Sequence, residues 1–107
     1  MPRDETEAAY FSLLRARDEL ASLHRYEEYL RAEAQRLRRS SSEARALADA
    51  VDRRLLRRLR HTEQPLDDAV RTRLEVIADE LERLPDRVAA AQAHVEECER
   101  EHAERRG

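Results

Sequence analysis

The chain has 107 residues, enough for one small domain, and 42% charged with only 4% aromatic residues leave little material for a globular core. All 21 basic residues are arginine, yet the formal net charge is −3, which speaks against nucleic acid as a partner. No stretch approaches about 18 consecutive apolar residues, and the acidic start MPRDETEAAYF is unlike a signal peptide, so a cytoplasmic protein with no membrane contact is expected.

Alanine, leucine, arginine and glutamate fill most of the chain, and glycine occurs only as Gly107. Such a composition favours helix almost everywhere. The absence of lysine suggests a GC-rich bacterial genome as the source. A single cysteine, Cys98, excludes an internal disulfide and a structural zinc ribbon.

The first helix is expected over about 4–61. Its apolar seam alternates steps of three and four through Leu13, Ala16, Leu20, Leu23, Glu27, Leu30, Ala34, Leu37, Ser41, Ala44, Ala48, Val51 and Leu55. The register passes through Ser40–Ser42 without a slip, so one helix of about 85 Å is expected, with a weak or hinged turn at 40–42. The break is expected at 62–65, where Thr62 can cap, Pro65 suits a first helical turn, and Asp67 and Asp68 suit the positive end of a helix dipole.

A second helix follows over about 65–106. Its seam reads Val70, Leu74, Ile77, Leu81, Leu84, Val88, Ala91, Val95, Cys98 and His102. Pro85 interrupts this seam chemically but not in phase, and a kink or restart is expected there. The fold class is therefore all-α: one domain, 1–107, forming a long antiparallel helical hairpin, a coiled coil that self-associates into a four-helix assembly.

Charge is uneven along the chain. Residues 31–61 hold ten arginines against four acids, and residues 62–107 hold seven against thirteen. A turn at 62–65 lays the basic stretch along the acidic one and places residue 106 near residue 21. The first twenty residues then lack a partner within the chain, and Tyr10, Phe11, Leu13 and Leu14 form an exposed apolar end for a second copy or another protein.

His94, Cys98 and His102 recur at intervals of four near the C-terminus, beside Glu99. Thiolate, imidazole and carboxylate on one helical face can ligate a transition metal, and the expected register brings Glu27 and Glu28 opposite. The same run also reads as the end of a packing seam, with Cys98 a small hydrophobe; that reading requires neither metal nor other cofactor.

Three local resemblances accompany these readings. The run EREHA, 99–103, resembles that of small two-helix encapsulated ferritins, which implies an iron site using Glu99 and His102 with Glu27 or Glu28 opposite. The close spacing of the lone glutamate to E-x-x-H in those proteins is absent. Asp67 and Asp68 resemble the acidic hairpin tip of DksA-type factors, which insert it into RNA polymerase, although the cysteines of that family are missing. Asp18, Ser22 and Arg25 are similar to the opening of the E-x3-S-x2-R-x3-Q-x3-D signature of RsiG anti-sigma factors, whose hairpin binds cyclic di-GMP; Tyr29 and Glu33 replace its last two residues.

The arginines of DRRLLRRLRH, 52–61, spread around the helix and are expected to be solvated or paired across helices. No nucleophile elbow or glycine-rich phosphate loop is present, so an enzyme is not expected. The sequence points to a non-enzymatic bacterial interaction protein, a homodimer that regulates or scaffolds a protein partner. Alternatives are a transcription regulator acting on a sigma factor or RNA polymerase, and a metal-binding, ferritin-like bundle.

Overall fold

The computed structural model describes residues 2–107; the side chains at 2, 3, 59 and 61–63 lie outside the description, and with them the cap expected of Thr62. Two helices make up the fold, α1 over Pro2–Ala50 and α2 over Arg53–Arg106, with no strand among the described residues. The class is all-α, and the two helices pair antiparallel as a hairpin.

The chain reverses at Val51 and Asp52, not at 62–65. The Leu55 amide donates to Asp52 Oδ1 at 2.9 Å, and the Leu56 amide donates to the Asp52 carbonyl at 2.9 Å. Asp52 is therefore the N-cap of α2, supplying an acceptor to an amide that has no partner inside the helix. Pro65, Asp67 and Asp68 lie in the interior of α2.

The turn was hard to see because it breaks several local preferences. It contains neither glycine, proline nor asparagine, α1 has no basic residue in its last turn, and α2 has no acid in its first. Arg53 and Arg54 instead sit at the positive end of the helix dipole, an adverse placement costing roughly 0.3–1 kcal/mol each at a surface. Asp52 supplies the capping that the flanking charges do not.

The serines behave as their phase requires. α1 continues through Ser40–Ser42 without a break, with Ser41 half-buried on the seam and its two neighbours exposed. α2 likewise runs on through Pro65 and Pro85, both exposed, so Pro85 starts no new helix.

Tertiary packing gathers into two units, Met1–Glu28 with Glu82–Gly107, and Tyr29–Leu81. In the first, Leu13, Ala16, Val95 and Cys98 form one buried cluster with Leu20 packed against it, and Ala9 and Leu84 are buried as well. In the second, Leu30, Ala34 and Ile77 are buried. Among the described residues every buried position except Ala9 belongs to the two heptad seams read from the sequence, and Ala9 continues the first seam toward the N-terminus.

The earlier turn changes which residues meet. Arg105 Nη1 reaches Glu5 Oε2 at 2.8 Å, and the Thr6 hydroxyl donates to the Arg105 carbonyl at 3.1 Å. The first twenty residues thus have a partner within the chain, contrary to the expectation of an unpaired end. The second unit has its own cross-helix clamp: Arg73 Nε and Nη2 donate to Glu33 Oε1 and Oε2 at 2.8 and 2.9 Å.

The position of the reversal can be tested directly. Spin labels at 45 and 58 are expected to report a backbone separation of about 10 Å across the hairpin. A helix continuing through both positions gives about 20 Å, and that reading would return the turn to the later site.

Candidate functional site

The residues singled out for chemistry meet in the first unit, where each has a specific neighbour. Cys98 is buried in the core cluster, and its Sγ lies 3.8 Å from Nε2 of the exposed His94, one helical turn away. The thiol has thus both an apolar bed and one polar contact. His102 lies half-buried against Tyr10, ring centroids 5.6 Å apart and tilted by 45°. Glu99 points elsewhere, toward Arg17 at 3.7 Å, and both side chains are about half exposed.

This arrangement separates the proposed ligands. With Glu99 beside Arg17 and His102 beside Tyr10, Glu27 and Glu28 are not opposite them, since the shift in register moves those glutamates along α1. Glu27 is half-buried at its seam position and Glu28 is exposed. Among the described residues no group of three or more His, Cys, Asp or Glu side chains gathers as a metal would need. The set expected for the ferritin-like pairing is thus not gathered in this structure, and of the run 94–102 Val95 and Cys98 belong to the buried cluster.

The other resemblances meet the structure in the same way. Asp67 and Asp68 stand within α2, where Gln64 Nε2 donates to Asp68 Oδ1 at 3.3 Å and the Thr72 hydroxyl donates to the Asp68 carbonyl at 2.9 Å. They form no hairpin tip. Ser22 Oγ accepts from Arg25 Nη2 at 2.9 Å, Asp18 and Tyr29 are exposed, and Glu33 is held by Arg73. Of the positions matching the cyclic di-GMP signature, Ser22 and Arg25 are thus bonded to one another and Glu33 to the partner helix.

What the sequence did not reveal is a pair of open grooves flanking His94. One, of about 770 Å³, is lined by Glu19, Ser22, Leu23, Tyr26, Arg87 and His94 among others. The second, of about 580 Å³, shares Glu19, Ser22 and His94 and reaches Arg15, Cys98 and Glu101. Finding them required the register, since Tyr26 and Arg87 come from different helices.

The expected apolar interface divides. Leu13 is 3% exposed and belongs to the core, whereas Tyr10, Phe11 and Leu14 are 45%, 54% and 39% exposed. At about 100° per residue, Ala9, Leu13 and Ala16 share one side of α1. Tyr10 and Leu14 fall beside that seam, and Phe11 falls opposite it. Tyr10 and Phe11 also touch, with ring centroids 5.8 Å apart.

Compared with models of known families, with curated proteins and with solved structures, the chain matches none. No helix among the described residues is long and apolar enough to cross a membrane.

One electrostatic perturbation stands out in the second unit. The hydrogen bonds from Arg73 hold the Glu33 carboxyl below its ordinary value, with the positive charges of Arg73 and Arg36 and the Tyr29 hydroxyl acting in the same sense against partial desolvation. A depressed carboxylate pKa adds stability above the unfolded-state value, and that stability is lost as pH falls through the folded-state value. Glu33→Gln is expected to lower the thermal midpoint at about pH 7, and the difference from the parent is expected to shrink as pH falls through the carboxyl's folded-state value. Equal midpoints at neutral pH would show that the clamp adds nothing.

Proposed function

We propose that this is a non-catalytic helical-hairpin interaction protein of the bacterial cytoplasm. It self-associates into a four-helix assembly, and that assembly regulates or scaffolds a protein partner. The observation that carries the reading is the exposed cluster of Tyr10, Phe11 and Leu14 on a helix whose seam is already closed. The exposed halves of these side chains, beside and opposite a filled seam, lie outside the hairpin's own core, and exposed apolar surface of this kind marks association.

A second copy is the occupant favoured by the narrowness of the core. Two helices bury only a single seam, and packing a second hairpin against it completes a four-helix arrangement. Full burial of a large apolar side chain contributes roughly 1.5–3 kcal/mol. About half of each of these three remains exposed, so closing them contributes on the order of 3 kcal/mol per copy.

The separation of Leu13 from its neighbours sharpens the test. Phe11→Asp with Leu14→Asp is expected to shift the protein to monomer in sedimentation while circular dichroism keeps its helical signal. Leu13→Asp, by contrast, places a charge in the core and is expected to reduce helix content itself. A double variant that sediments as the parent does would move the interface to another face.

A further inference from the structure

The reversal at Val51–Asp52 falls inside the segment 31–61, with its ten arginines against four acids. The turn lays 53–61 back along the end of α1, while Arg38 of α1 shares a groove with Asp67 of α2. Arg38 and Arg45 come from α1, and Arg53, Arg54, Arg60 and Arg71 from α2; all six are exposed. No side-chain hydrogen bond or ion pair to a described residue engages any of the six guanidiniums.

Four of these arginines share one groove. Arg38, Arg45, Arg60 and Arg71 line a groove of about 580 Å³ in this unit, with the hydroxyls of Ser41 and Ser42 and the carboxylates of Asp49 and Asp67. Four guanidiniums against two carboxylates leave it positive. Guanidinium forks match phosphate oxygens two at a time, and serine hydroxyls add neutral donors. Arg53 and Arg54 extend the charge to the start of α2, where they oppose the helix dipole; residues that break a local folding preference are the ones to examine for function.

The aromatic residues narrow the choice of ligand. All of them lie between positions 10 and 29, so this unit's groove has none on its lining to stack on an unpaired base or to anchor a protein interface. What remains is contact with a regular array of phosphates.

We infer that the turn end of the hairpin binds the phosphate backbone of double-helical nucleic acid, independently of base sequence. The expectation against nucleic acid rested on the net charge of the whole chain. That charge describes the whole chain, not the lining of this groove.

Fluorescence anisotropy with two unrelated 20-base-pair DNA duplexes, and with one of their single strands, tests the inference. Both duplexes are expected to bind equally and more tightly than the single strand. With about four phosphates neutralised, log K against log salt has a slope of about −3.6, a loss of about 150-fold between 50 and 200 mM salt. Arg45→Glu with Arg60→Glu is expected to weaken binding at least tenfold and to bring the slope to about −1.8, with helix content unchanged. The milder pair Arg38→Gln with Arg71→Gln should act in the same direction. Failure of the parent protein to bind either duplex at 50 mM salt would overturn the proposal. So would binding that ignores the charge reversals, or reversals that only dissociate the protein's own assembly, which would assign the groove to an acidic protein surface.

Discussion

The bond from the Leu55 amide to the Asp52 carboxylate marks where the chain turns back, and the meaning of almost every other residue depends on that place. Both seams keep their phase wherever the chain reverses. What the turn decides is which stretch of α1 meets which stretch of α2. With Asp52 as the cap, the N-terminal end of α1 finds Arg105 and His102, the candidate metal ligands part company, and Arg38, Arg45, Arg60 and Arg71 come to line one groove. A single carboxylate, with flanking charges that oppose it, thus governs both a packing register and a pattern of surface charge.

The stability along the hairpin is uneven for a related reason. Leu30, Ile77 and Leu84 are the largest side chains to be wholly buried, and they carry the greatest hydrophobic contribution per residue. Toward the turn the α1 seam passes to Ser41, Ala44 and Ala48, which are only half-buried. Small side chains allow helices to approach but remove little apolar area from water. Local opening is therefore easiest near the turn, in the unit that also carries the arginine groove.

The seams were legible because hydrophobic period is a property of many residues at once, and no single substitution hides it. Ser41 and Glu27 take seam positions without ending the helix, as their phase required. The turn was illegible because it is a matter of two residues. Thr62, Pro65 and the paired aspartates offered a stronger local signal for a helix start than Asp52 followed by two arginines, yet proline and threonine can be carried inside a helix whose packing extends to both sides. The candidate site inherited that error. Glu27 and Glu28 were placed opposite Glu99 and His102 by register alone, and the assignment of Leu13 to an exposed end failed for the same reason, whereas Tyr10, Phe11 and Leu14 are exposed because their helical phase lies away from the seam.

The confinement of Tyr10, Phe11, Tyr26 and Tyr29 to one part of α1, in a chain without tryptophan, gives the molecule an unequal optical character. Its near-ultraviolet absorption and tyrosine emission arise from that part alone, where Tyr10 lies against the ring of His102 on the other helix. The arginine-rich turn contributes only amide bands. Melting there changes the far-ultraviolet helical signal while the tyrosines remain unmoved, so the two spectral windows, followed together, distinguish opening of the turn from separation of the helix ends.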